Sequence, residues 1–273
     1  MRAAARRRRA RRGMAISALS TLVVVGGLVA IVLTSPGWDD VKATYFDWGD
    51  FTDAFPAVLK GFWLDVKLFV IVEICVLIVG LIVALIRTTR SPALFPLRLM
   101  AAVFSDVTRG VPVVLFIYLV GFGVLALNLK GLPTDPLVLG GAALTLSYSG
   151  YVAEVYRSGI DSVHPSQLAG ALALGLTRGQ AMRFVVLPQA IRRVIPPLLN
   201  DFIALQKDVA LISFLGPMEA FRVAQIEAAS NFIYTPLVAA AVLYLCVTIP
   251  MARIVDHLQA RNRQVRGVAE VTA

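Results

Sequence analysis

Long apolar blocks dominate this chain. Met14 to Thr34 is 21 residues without a charge, and an α-helix needs about 20 such residues to cross a hydrocarbon core. Gly110 to Leu129 and Ala228 to Ala252 are also free of charge. A helix that packs at the surface of a soluble protein keeps a polar face, and these stretches have none. Composition agrees: 58% of the 273 residues are hydrophobic and 16% charged, against about 45–50% and about 25% for soluble domains. The mean hydropathy is +0.77. These features predict an all-α integral membrane protein.

Six spans are expected: Met14–Thr34, about Phe62–Ile86, about Pro96–Leu129 with a kink at Pro112, about Pro136–Tyr156, about Val194–Leu215 and about Phe232–Ala252. The formal net charge of +9 would suit a nucleic-acid partner, but its distribution follows membrane topology instead. Of 26 basic residues, seven lie in 1–13, three in 87–98, five in 157–193 and four from Arg253 onward, 19 in all. Lys42, Lys60, Lys130 and Arg222 are the four in the alternate loops, and Lys67, Arg109 and Lys207 fall inside spans. Basic loops mark the cytoplasmic side, so both termini are expected in the cytoplasm, and no nucleic-acid partner is needed. The first span could be a signal peptide. Its apolar run exceeds the roughly 7–15 residues of a signal core, and no clear cleavage site follows, which favours a retained anchor.

Segment 35–60 carries five aspartates and several aromatics, and reads as a solvated outer loop with rings at the interface. Cys75 and Cys246, far apart in apolar stretches, suit buried thiols better than a disulfide or metal site. His164 and His257 fall in separate loops. No metal site is expected, and neither H-E-x-x-H nor G-x-S-x-G occurs.

The 157–193 segment is too ordered for a mere connection. Pro165 suits a first helical turn, Ser166–Leu174 continues with helix formers, and Gly175 supplies a left-handed end. Thr177 with Gln180 forms a capping box for a second helix reaching about Leu187, where Pro188 ends or bends it. The expected product is a helix–Gly–helix projection, basic at Arg178 and Arg183. By periodicity alone it could lie on lipid or insert into a partner protein.

Residues 145–215 resemble the permease subunits of ATP-binding-cassette importers for polar amino acids. That family's pattern runs A-E-x-x-R-x-G-I, an EAA loop, L-G-L-[ST], L-P-Q-A, then P-P-x-x-N-x-[FL]-[IV]-x-L-x-K-[DN]. Here Ala153, Glu154, Arg157, Gly159 and Ile160 open it, followed by Leu174–Thr177 and Leu187–Ala190. Pro196, Pro197, Asn200, Phe202, Ile203, Leu205, Lys207 and Asp208 complete it, and Arg109–Pro112 match R-G-x-P upstream. The resemblance covers about 58–258. It implies an importer-permease domain there, behind 1–57 (basic tail, extra anchor helix and external acidic loop) and ahead of a 259–273 tail.

The resemblance further implies a multi-pass protein of the bacterial inner membrane that moves a polar amino acid inward. Its implied partners are an external solute-binding protein, a cytoplasmic ATPase dimer using ATP and Mg, the lipid bilayer, and a second permease subunit, identical or paralogous. The chain has no G-x-x-x-x-G-K-[ST] phosphate loop, so it is expected to bind no cofactor and to depend on a separate ATPase. The coupling loop is assigned to Ala169, Gly170, Ala171, Gly175, Thr177, Arg178, Arg183 and Pro188. Ala169, Gly170 and Ala171 occupy the E-A-A positions without the acidic residue, which shifts the contact toward apolar packing or Arg178 and Arg183.

Charges at membrane depth face the bundle interior and mark pathways. Glu73, Arg109, Tyr148 and Asn200 are the candidates for a substrate path, with the Glu73 carboxylate suited to an amino group. Asp106, Glu154, Arg157, Lys207 and Asp208 are candidates for structural ion pairs, Asp106 with Arg109 and Glu154 with Arg157 by i,i+3 spacing. Asp65 and Lys67 are expected near the outer interface. Other readings are a permease for an opine-like amine, a secondary carrier, which would carry inverted repeats not visible between the halves, and an intramembrane enzyme, which lacks its constellation.

Overall fold

The computed structural model describes residues 2–89, 91–128 and 130–271, with side chains described except at 2–12, 15 and 261–271. The arginine-rich head, Arg90, Arg261, Arg263 and Arg266 of the charge count lie outside the described side chains. The chain is helical, and no strand occurs among the described residues.

Helix α1 (Arg2–Leu33) carries the first apolar run, and its 16–33 stretch is wholly uncovered by the rest of the chain. Next come α2 (Trp38–Tyr45) and α3 (Trp48–Thr88). The 35–60 region is therefore helical, not an open loop. Asp47 caps α3 by accepting from the Asp50 N–H at 3.0 Å, and burial of Ala54 and Val58 holds the turns that follow. The α3 positions 54, 58, 61, 62, 65, 69, 72, 76, 80, 83 and 84 are buried, a three-to-four-residue stripe that faces the bundle along the whole helix.

The third expected span divides into α4 (Phe95–Gly110) and α5 (Val113–Ala126), set at 107° to one another. Pro112 is more than a kink: it lacks a backbone donor, and Val111 before it is extended (φ −98°, ψ 130°), as a residue preceding proline prefers. Helix α6 (Pro136–Asp161) is the centre of the bundle. Its buried residues include Gly140, Gly141, Ala143, Ser147, Gly150 and Ala153, small side chains that let neighbouring helices approach closely. Phe69, Val72 and Val76 of α3, Ile117 of α5, Leu144 and Val152 of α6 and Leu205 further on form the main core.

After α7 (Pro165–Ala173) and α8 (Arg178–Ala181) the chain does not stop at Pro188. A π-turn, Met182–Val186, feeds straight into α9 (Leu187–Asp208). Pro188 cannot donate an i→i−4 bond; the wider turn just before it, closed by Leu187 N–H to the Met182 carbonyl, lets the helix pass through. A 3₁₀ stretch, Val209–Leu215, precedes α10 (Ala220–Asn231) and α11 (Thr235–Val271). Helix α10 was not expected from the sequence. Ala220 and Ala224 bury it against Ala54, Val58 and Phe62 of α3 and Ala240 and Leu243 of α11.

The bundle has two distinct ends. The end of α3, the start of α4, the end of α6, α7 and α8 gather at one. At the other, Tyr234 N–H and Thr235 Oγ1 donate to the Thr44 carbonyl at 2.8 and 3.3 Å, and the Tyr45 and Tyr234 rings stack at 5.2 Å. Cys75 and Cys246 are exposed on the bundle's flank rather than buried.

Candidate functional site

The projection formed by α7, α8 and the π-turn is held by local chemistry. His164 caps α7: its Nδ1 accepts from the Ser166 N–H at 3.2 Å and lies 2.7 Å from Ser166 Oγ. A role as cap was not read from the sequence for this histidine. At the far end, Leu176 N–H reaches the Ala171 carbonyl (3.2 Å) and Gly175 N–H the Leu172 carbonyl (3.0 Å), a Schellman motif with Gly175 at φ +86°. Thr177 Oγ1 accepts from Gln180 N–H (3.3 Å) while Gln180 Oε1 accepts from Thr177 N–H (2.9 Å), which completes the capping box. Ala169, Gly170, Arg178 and Arg183 are exposed and Ala171 is buried. Val163, Val186 and Ala190, with Ile160 and Leu168, pack the projection onto the bundle. The residue that replaces the family's glutamate, Ala169, thus faces outward.

Above this projection lies a charged node. Glu154 Oε2 receives Arg87 Nη1 at 2.9 Å and Arg157 Nε at 3.2 Å, and Oε1 receives Arg157 Nη2 at 2.5 Å. Arg109 stands 3.7 Å from Glu154, and Arg157 also donates to Asp161 at 2.7 Å. The node ties α3 and α4 to α6. Arg109 therefore belongs with Glu154 and not with Asp106, which makes no ion pair among the described residues. An i,i+3 spacing brings side chains within reach; the carboxylate of α6, approached by three arginines, offers the stronger partner.

A second polar group runs along α3, α6 and α9. Tyr148 donates its hydroxyl to Asp208 Oδ2 at 2.7 Å, so Asp208 is engaged by a phenol and not by Lys207, which is exposed. Glu73 is half-buried, with Asp201 as its charged neighbour. Asp201 has one carboxylate oxygen shielded from solvent and without a hydrogen-bond partner. Phe69 and Phe202 meet edge to face at 4.6 Å beside them. No ion pair engages Glu73, Asp201 or Asp208 among the described residues. Of the four path candidates, Glu73 and Tyr148 share this seam, Asn200 is exposed on α9 next to Asp201, and Arg109 lies in the other node. Chemically the seam favours a cation, because its carboxylates carry no countercharge from the chain.

A third cluster escaped the sequence reading. Asp65 is buried within the bundle, 2% exposed. Its Oδ2 accepts from Tyr244 Oη at 2.8 Å and from Ala220 N–H at 3.3 Å. Glu219, also 2% exposed, caps α10 by accepting from Phe221 N–H (2.7 Å) and Arg222 N–H (2.6 Å). The other Asp65 oxygen, Oδ1, is shielded from solvent and has no hydrogen-bond partner among the described residues. The signal available in the sequence was Glu219 just after Gly216-Pro217, where a helix could restart. Among the described residues no group of three or more His, Cys, Asp or Glu could hold a metal.

Comparison with known proteins gives the class of this bundle and projection. The family model "Binding-protein-dependent transport system inner membrane component" matches residues 76–264, and the chain belongs to that family: it is a multi-pass membrane permease of the ATP-binding-cassette importer type. It is 33% identical over 204 residues to the probable amino-acid permease protein YxeN of Bacillus subtilis (strain 168), covering 74% of this chain and 90% of that one. It is 31% identical over 219 residues to the glutamine transport system permease protein GlnP of Escherichia coli (strain K12), covering 80% and 98%. A solved structure described as an amino acid ABC transporter with histidines superposes with a TM-score of 0.71 at 29% identity, over 79% of this chain and 98% of the other.

Proposed function

We propose that this chain moves a polar amino acid across the bacterial inner membrane into the cytoplasm. It takes substrate from an external binding protein and is driven by a separate ATPase dimer that uses ATP and Mg. The carrying observation is the 157–193 projection: two short helices locked by a Schellman turn and a capping box, packed as one piece onto the ends of α6 and α9. A lever must move as a unit to transmit a change of state. Two named amino-acid and glutamine permeases among the relatives support the substrate class. The carboxylate seam at Glu73 and Asp201 supports an ammonium-bearing solute. In this reading the projection faces the cytoplasm, and 58–258 is the transport domain.

Site-directed cross-linking tests the coupling. With Cys75 and Cys246 replaced by serine, Gly170→Cys is expected to form a disulfide with a cysteine placed in the surface groove of the ATPase, and ATP is expected to change its yield. Absence of any cross-link from Gly170→Cys and from Ala169→Cys alike would remove the projection as the coupling element.

A further inference from the structure

A cavity of about 900 Å³ opens between the end of α3, the start of α4, the end of α6 and the projection. Part of its lining is apolar: Leu85, Ile160, Leu168, Met182 and Val186. The rest is strongly basic: Arg87, Arg98, Arg157 and Arg178. Four guanidiniums, permanently charged, face two carboxylates, Asp161 in the lining and Glu154 behind it. The two carboxylates are already engaged by Arg87 and Arg157. Arg98 and Arg178 make no ion pair among the described residues. Arg98 is half-buried, its Nη1 donating to the Thr89 carbonyl at 3.0 Å, and its guanidinium sits 5.4 Å from the Phe95 ring centre.

Depth decides what such a cavity takes. The apolar run of α3 ends at Ile86, immediately before Arg87 and Thr88, and α6 changes from apolar to charged between Ala153 and Asp161. The cavity therefore sits where hydrocarbon gives way to headgroups, and basic pockets between helices at that level take anionic headgroups. A free phosphate would use the arginines and leave the apolar lining uncovered. A phospholipid uses both, with its phosphate at the arginines and its acyl chains on the leucines and valines.

We infer that this cavity binds an anionic phospholipid, its phosphate held by Arg98 and Arg178 and its chains laid between α6 and the projection. The π-turn residues Met182 and Val186 form part of the wall, so the bound lipid contacts the element that joins the projection to α9. The inference goes beyond the transport reading and requires only that the bundle be inserted in a membrane.

The test uses the importer assembled with its ATPase, reconstituted in phosphatidylcholine vesicles containing phosphatidylglycerol and then extracted in mild detergent. Native mass spectrometry weighs the lipid that stays bound. The wild type retains phosphatidylglycerol over phosphatidylcholine, and Arg98→Gln lowers that preference about fivefold, as loss of one basic contact predicts. Arg98→Lys keeps most of the preference, while Arg253→Gln, on an exposed pair with Asp256, leaves it unchanged. Equal retention in wild type and Arg98→Gln overturns the proposal. So does displacement of the lipid by inorganic phosphate, which would mark an ion site. Retention by the isolated chain but not by the assembled importer also overturns it, because the ATPase would then occupy the cavity.

Discussion

Gly61 shows how tightly single residues set this bundle. A Cβ there would stand 2.7 Å from the Ala220 nitrogen and the Glu219 carbonyl carbon, and 2.9 Å from the Ala220 Cα. These are backbone atoms, so no side chain can swing aside. Gly61→Ala is expected to cost about 1–3 kcal/mol, the usual range for overpacking, and to lower the melting temperature in detergent; an unchanged melting temperature would show that α10 can shift freely. Beside it, Asp65→Asn keeps an acceptor for Tyr244 and Ala220 and is expected to be tolerated, whereas Asp65→Val leaves those donors unsatisfied at about 1–3 kcal/mol. Equal melting temperatures for the two variants would show that these two hydrogen bonds do not hold α10 and α11 to α3. In the seam, Glu73→Gln is expected to weaken apparent substrate affinity by roughly 10- to 100-fold if the carboxylate meets an ammonium. Unchanged uptake and unchanged substrate preference would take Glu73 off the path. Sequence spacing located Glu154, Arg157 and Glu73, because charges inside apolar blocks stand out. It paired Arg109 with Asp106, because i,i+3 spacing says who is near along one helix and nothing about Glu154 on another.

At the scale of elements, the projection was the most legible part of the chain. Its stops and starts are written in local chemistry: Pro165 at the first turn, Gly175 at φ +86°, Thr177 and Gln180 in a reciprocal cap. Gly175→Val forces a β-branched residue into the left-handed region at a cost of about 1–2 kcal/mol. It is expected to uncouple ATP hydrolysis from uptake more than it lowers protein yield, measured as substrate moved per ATP hydrolysed in proteoliposomes; an unchanged ratio would mean that the turn's rigidity is not used. The elements that sequence missed depend on distant contacts. Turns 48–61 of α3 and the whole of α10 are stabilised by Ala54, Val58 and Phe62 meeting Ala220 and Ala224, a pairing across more than half the chain. The 107° break at Val111–Pro112 was foreseen as a kink; proline marks the place, while the packing of α4 and α5 against α6 sets the angle. The run through Pro188 needed the π-turn before it, which no propensity signals.

For the whole molecule, the charge count foresaw which segments share an end. Segments 87–98 and 157–193 meet around one cavity, and Thr44 meets Tyr234 at the opposite end. The relation is physical: helices that cross one layer must put alternate connections on the same side. As the proposed permease of an ATP-driven importer, the chain is expected to transport nothing alone. The direct measurement is uptake of labelled polar amino acids into proteoliposomes holding this chain, its ATPase and its binding protein, with each component omitted in turn. Uptake is expected only when ATP, ATPase and binding protein are all present. Uptake that persists without the ATPase would contradict that expectation.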